Sequence, residues 1–124
     1  MAVSIGINVR CDGSIDYAGL IISGFKTMES RNSNSLRAYI GKRVAIVRTG
    51  QGKALAIGEI TIGEPLTVNE LDFRMMFDSH LVPENSRFDI EPGNTKFLYP
   101  LLNPTRYEQP LNVGLGIVSR KIIG

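Results

Sequence analysis

Apolar and small or polar residues alternate with a period of two over Val3-Ser4-Ile5-Gly6-Ile7-Asn8-Val9, the pattern of a strand with one buried face. Cys11-Asp12-Gly13 then turns the chain. Ser14 is placed to cap a short helix with Asp16 in its first turn, running through Ile22 and stopped by Gly24. Ile15, Ala18, Ile21 and Ile22 give that helix one apolar face. Period two returns at Lys26-Thr27-Met28-Glu29-Ser30-Arg31, now with large charged members. Turn formers fill Asn32-Ser33-Asn34-Ser35, and Leu36 to Ile40 makes one helical turn closed by Gly41. Arg43-Val44-Ala45-Ile46-Val47-Arg48 is rich in β-branched residues and predicts a strand. Thr49-Gly50-Gln51-Gly52 turns into a longer strand over Lys53 to Glu64, whose Gly58 and Gly63 mark bulges or bends of a small closed sheet.

Thr67-Val68-Asn69-Glu70 has the Thr-x-x-Glu form of a capping box, so a helix is predicted through about Ser79, with Val68, Leu71, Met75 and Met76 turned to the core. His80 to Asn94 holds two prolines and several turn formers and predicts a long surface loop, a length that often carries function. Lys96 to Leu102 and Val113 to Ile123 read as the last strands, joined through Asn103-Pro104 to Gln109-Pro110. No internal repeat, low-complexity tract or linker interrupts the pattern, so residues 1–124 are expected to form a single domain, mainly β, of the α+β class, with about two flanking helices.

Composition narrows this further. An apolar share of 43% and a charged share of 21% suit a globular core and argue against disorder or coiled coil. There is no apolar run long enough to span a bilayer and no basic-then-apolar leader in MAVSIGINVRCDG, so a soluble cytoplasmic protein with no membrane partner is expected. Cys11 is the only cysteine, which rules out an internal disulfide and a cysteine-built zinc cage. With one histidine, His80, and no clustered carboxylates, neither a metal ion nor a cofactor is expected. His80 itself fits a loop or core partner better than a catalyst. The net charge of +2 permits nucleic-acid contact without requiring it. Arg43, Arg48, Lys53, Arg87, Lys96, Arg106, Arg120 and Lys121 are spread along the chain, where a barrel could gather several into a positive rim or leave them as a mixed soluble surface.

The candidate chemistry concentrates at residues 26–31. As a strand, this stretch puts Lys26, Met28 and Ser30 on one face and Thr27, Glu29 and Arg31 on the other. Arg31 offers a planar fork to a phosphate or carboxylate, Glu29 can orient that fork or accept from a base's amino group, and Lys26 stands at the mouth. The plainer alternative is a solvated ladder of ion pairs on an exposed sheet face.

The stretch Tyr17-Ala18-Gly19-Leu20-Ile21-Ile22-Ser23-Gly24-Phe25-Lys26-Thr27-Met28-Glu29-Ser30-Arg31 resembles the opening motif of the ASCH family, a short helix leading into G-x-K-x-x-E-x-R. Ala56-Ile57-Gly58-Glu59-Ile60-Thr61-Ile62-Gly63 is similar to that family's central strand. The run from Phe97 to Pro104 and the run Gln109-Pro110-Leu111-Asn112-Val113-Gly114 are similar to its aromatic-rich strand and its approach to a final strand. The resemblance implies a PUA-like mixed β-barrel whose cleft takes RNA or a modified nucleoside, with Lys26, Glu29 and Arg31 as ligand-binding residues. Tryptophan is absent, so stacking falls to Tyr17, Phe25, Tyr99 or Tyr107.

One branch of the family, the N4-acetylcytidine amidohydrolases, uses a Lys, a Thr three residues later and a Glu in an H-x-x-x-E-N stretch. Lys26 and His80-Leu81-Val82-Pro83-Glu84-Asn85 match, whereas the position three after Lys26 is Glu29, with Thr27 beside it. On that resemblance Lys26, Thr27 and Glu84 are the catalytic candidates: a lysine with lowered pKa acting as base toward Thr27 or a water, with Glu84 handling the proton. Three functions therefore stand: an RNA- or nucleoside-binding module, an amidohydrolase on N4-acylated cytidine, and an accessory protein-interaction domain that leaves the cleft unused.

Overall fold

In the computed structural model, which describes residues 3–124, the long central strand β6 (Lys96–Asn112) joins two parts of one mixed sheet. Met1 and Ala2, which open the stretch inspected for a leader, lie outside the described residues. The N-terminal half of β6 pairs with β2 (Met28–Arg31) on one side and with the short β5 (Leu66–Val68) on the other. Its C-terminal half pairs with β4 (Leu55–Ile62), which is followed across the sheet by β3 (Arg43–Thr49), β1 (Ile5–Arg10) and β7 (Ser119–Lys121). β1 and β3 run parallel, and the other pairings are antiparallel. Just beyond β6, Val113 bridges to Ile122, Gly114 N donates to Lys121 O (2.9 Å), and Asn112 and Gly124 exchange backbone hydrogen bonds. Those bonds bring β7 back to β6 and curl the sheet into a small barrel, the expected α+β architecture.

Residues 44–47 of β3 are buried without a break, because both faces of the strand are covered. On one face Val44 and Ile46 join Ile7, Val9, Ile57, Ile60 and Ile62 beneath helix α1 (Tyr17–Ile22), which presents Ala18, Ile21 and Ile22. On the other, Ala45, Val47 and Ala56 pack with Leu111, Val113 and Ile122. Strand register shifts occur opposite Ala56/Gly58 and Glu59/Thr61, at the glycine that the sequence marks for a bend. A Cβ on Gly58 would overlap the Thr105 carbonyl and meet Ile22 Cδ1 at 2.8 Å. Gly58→Ala is accordingly expected to lower the unfolding free energy by about 2 kcal/mol, read from a urea midpoint, since strand and helix must both move.

Several local expectations are corrected. Ser14 is exposed and does not cap α1; Asp16 does, its carboxylate accepting from Gly19 N (3.1 Å), so the helix starts at Tyr17. Thr67 is not a helix cap either, because residues 66–68 add to the edge of β6, where Thr67 pairs with Phe97. Asn69 takes the role, accepting from Asp72 N (2.9 Å) ahead of α2 (Glu70–Met75). With that start the helix turns Phe73 inward, while Leu71 and Met75 point to solvent. Val68 is buried as a strand residue, and Met76 packs against the core between α2 and α3 (Phe77–His80).

The expected break at residues 103–110 is absent. β6 continues through Pro104 and Pro110 because that half pairs with β4 on one side only, and Asn103 absorbs the bend at φ 53°. Residues 36–41 form the single turn expected, a 3-10 turn at Arg37–Tyr39 followed by Gly41 at φ 78°. Among the described residues no helix is long and apolar enough to cross a membrane.

Candidate functional site

The cavity bordered by β1, β2 and the loops at residues 81–95 and 113–118 begins with the exit from α1. Gly24 takes φ 85° just after the helix, and the amides of Phe25 and Lys26 both donate to Leu20 O (3.0 Å each). The strand begins only at Met28, so Lys26 is released from the period-two pattern. Its side chain lies on the same side as those of Glu29 and Arg31, not opposite them as strict alternation implies.

The Lys26 side chain is 1% exposed and forms a compact network. Its Nζ donates to His80 O (2.5 Å), lies 3.6 Å from Glu29 Oε1, and sits 5.0 Å from the centre of the Tyr17 ring. Glu29 Oε2 receives the Arg31 guanidinium at 2.9 Å, and Arg31 Nη2 also donates to Asn8 O (2.6 Å) on β1. Burial pushes the Lys26 pKa down; the carboxylate of Glu29 opposes this and nearby Arg31 adds to it.

These groups border a cavity of about 400 Å³ whose wall includes Tyr17, Lys26, Glu29 and Arg31. Tyr17 is 3% exposed and its hydroxyl has no hydrogen-bond partner among the described residues. The Ser86 hydroxyl, near enough to oppose the shift, donates instead to Pro83 O (2.6 Å). Burial, with the charges of Asp12 and Glu29, pushes the Tyr17 pKa up to about 12. Phe88 meets the Tyr17 ring edge-on at 6.1 Å and extends the aromatic wall. Lys96 enters from β6, its Nζ donating to Asn32 Oδ1 (2.6 Å), and burial lowers its pKa as well.

The loop after α3 is held in place rather than left loose. Asp89 accepts from Arg74 Nη1 (2.6 Å), Asn85 N (2.7 Å) and Ile90 N (2.7 Å), and the Arg74 hydrogen bond holds its carboxyl below the usual range. At the head of the loop His80 is 1% exposed and stacked on Phe73 at 3.9 Å. Val82 N donates to its Nδ1 (2.9 Å), which leaves Nε2 to donate to Phe73 O (2.6 Å) and fixes a neutral tautomer. Burial lowers the His80 pKa further. The lone histidine thus organises the loop that supplies Val82 and Phe88 to the cavity, and its carbonyl is the acceptor for Lys26.

The remaining sequence candidates lie elsewhere. Thr27 is exposed; its backbone joins Ser79 and Leu101, and its side chain is not part of the cavity wall. Glu84 is exposed on the loop, 3.7 Å from Arg74, and Tyr99 is fully buried beside Glu29's strand without reaching the cavity. Of the scattered basic residues, Lys96 and Arg120 line the cavity, whereas Arg43 pairs with Glu59 (3.0 Å) and Arg48 with Asp16 (3.2 Å). Arg10 and Asn8 also line it and escaped the sequence reading. They are distant in sequence from residues 26–31, and the signal that places them there, the parallel pairing of β1 with β3, is tertiary.

No family model matches the chain, and no curated protein does. Solved structures do. The crystal structure of ASCH from Zymomonas mobilis is 20% identical over 86% of this chain and 73% of its own, with a TM-score of 0.68. Two single-substitution variants of that protein match at 22% and 20% identity over 87% and 86% of this chain and 72% and 75% of theirs, with TM-scores of 0.66 and 0.64. The likeness is one of overall fold, and the chain has the ASCH-domain fold.

Proposed function

We propose that the cavity binds a nucleotide of single-stranded RNA or a nucleoside-type ligand. The observation that carries this reading is the wall itself: Arg10, Lys26, Arg31, Lys96 and Arg120 surround about 400 Å³ in which Glu29 is the one acidic side chain, with Tyr17 and Phe88 as an aromatic surface. That volume falls in the range of small-ligand sites, the cations suit phosphate, and the rings suit a base. The unpaired hydroxyl of Tyr17 supplies a polar contact that a ligand would complete. Glu29, already fixed by Arg31 and Lys26, presents a carboxylate for an exocyclic amino group.

Arg10 is exposed and makes no ion pair among the described residues, which makes it a clean probe. Binding of a labelled single-stranded RNA should weaken as salt rises. Arg10→Ala should reduce affinity about fivefold and lower the log–log salt slope by about 0.7. Affinity indifferent to salt and to Arg10→Ala sinks the reading and favours an accessory interaction domain.

The buried, pKa-lowered Lys26 supports the second reading, an amidohydrolase acting on N4-acylated cytidine. Thr27 and Glu84 lie outside the cavity wall, so that chemistry would have to draw on Lys26 with a water. Release of cytidine from N4-acetylcytidine, abolished by Lys26→Met, is its test, and no release at high enzyme concentration removes it.

A further inference from the structure

Resting on the RNA-binding reading of the cavity, we propose that Leu115 and Ile117 form an apolar wedge that packs against the base next to the one the cavity holds. The ligand is then an unpaired stretch of RNA and not a free nucleoside. Leu115 is 95% exposed and Ile117 96%, the two most exposed large apolar side chains described. They are not on a slack segment. Asn8 Nδ2 donates to Gly116 O (3.0 Å) and Ile117 O (2.8 Å), Asn8 N donates to Val118 O (2.9 Å), and Arg120 Nη1 donates to Gly114 O (3.0 Å). Arg120 Nε in turn holds Asn8 Oδ1 at 2.9 Å. A Cβ on Gly116 would overlap the Ser119 carbonyl, so the turn is as tight as glycine permits.

The backbone bonds therefore hold two aliphatic side chains out into water. Gly116 and Ile117 themselves line the cavity, so the pair stands at its rim beside Arg120, with Arg10 and Arg31 on the same wall. Cations that follow a phosphate chain and aliphatic groups beside them are the complement of a strand whose bases are unstacked. An inserted Leu or Ile covers the face of any base and reads none. The wedge adds affinity for a strand without adding sequence preference.

The test compares Leu115→Ser, which lies outside the cavity wall, with the wild-type chain on two probes, a labelled single-stranded RNA of about eight nucleotides and the common nucleoside 5′-monophosphates. The variant is expected to lose about tenfold in RNA affinity with an unchanged salt slope, and nothing on the monophosphates. RNA affinity within twofold of wild type overturns the wedge while leaving the cavity reading intact. Equal losses on both probes also overturn it, because Leu115 would then only shape the loop. A wild-type dimer that becomes a monomer in the variant, seen by sedimentation, overturns it in favour of a second copy covering the pair. Wild-type protein that binds neither probe removes the cavity reading and the wedge together.

Discussion

Glu29→Gln is expected to lower the unfolding free energy by about 3–5 kcal/mol, the range for removing one partner of a buried ion pair. The substitution keeps the shape but leaves the Lys26 ammonium, 1% exposed, facing a neutral amide and the Arg31 guanidinium. The pH dependence follows from the direction of the Lys26 shift. Burial already holds its pKa below 10.5, so the unfolded chain binds more protons just below that value and stability rises with pH there. Without the carboxylate the folded-state pKa falls further, and the window widens downward. Part of the loss is therefore recovered as pH rises toward 10.5, in urea titrations of variant against wild type. A second substitution, Lys26→Met, removes the stranded charge and should restore most of the stability. A loss below about 1 kcal/mol, or one that ignores pH, contradicts a charged Lys26 in the folded protein.

His80→Ala is expected to cost about 3–4 kcal/mol, because it leaves Phe73 O and Val82 N without partners and opens a void against the Phe73 ring. Burial lowers the His80 pKa from 6.5, so as pH falls through that value the unfolded chain takes up a proton that the folded one refuses. Wild-type stability should decline as the solution is acidified below 6.5, and the alanine variant should lack that component. The same change should weaken ligand binding, since protonated Nδ1 cannot accept from Val82 N and the cavity loop loses its anchor. Matching acid profiles for the two proteins would contradict the neutral, doubly bonded imidazole.

Much of the fold was legible where one residue pattern met one local cause. The alternation at Ile5–Arg10, the β-branched run at Arg43–Thr49 and the Gly24 stop after α1 each depend on neighbours in sequence. The Thr67 cap misled because a Thr-x-x-Glu string is a local motif that β6 overrides by pairing with residues 66–68, which shifts the helix start to Asn69. β6 was cut short for a similar reason. Proline forbids a donor on one side only, and a strand whose other side is unpaired tolerates it.

The candidate site divides along the same line. Lys26, Glu29 and Arg31 lie within a few residues of one another, so their clustering was visible in the chain, although their common side depends on the Gly24 turn and the late start of β2. Thr27 was named as the threonine nearest Lys26 and Glu84 for its H-x-x-x-E-N stretch, and a place in a motif carries no information on which way a side chain points. Arg10, Asn8 and Arg120 come from the two ends of the chain, joined by the pairing of β1 with β7.

The sequence by itself determined β1, β3 and α1, the apolar faces they bring to the core, and the short charged run that follows α1. Only the tertiary structure decided that this run borders a cavity, that a histidine carbonyl anchors its lysine, and that cations distant in sequence complete the wall. Local patterns follow from backbone sterics and side-chain period, which act over a few residues. A cavity exists only once strands far apart in sequence are in register.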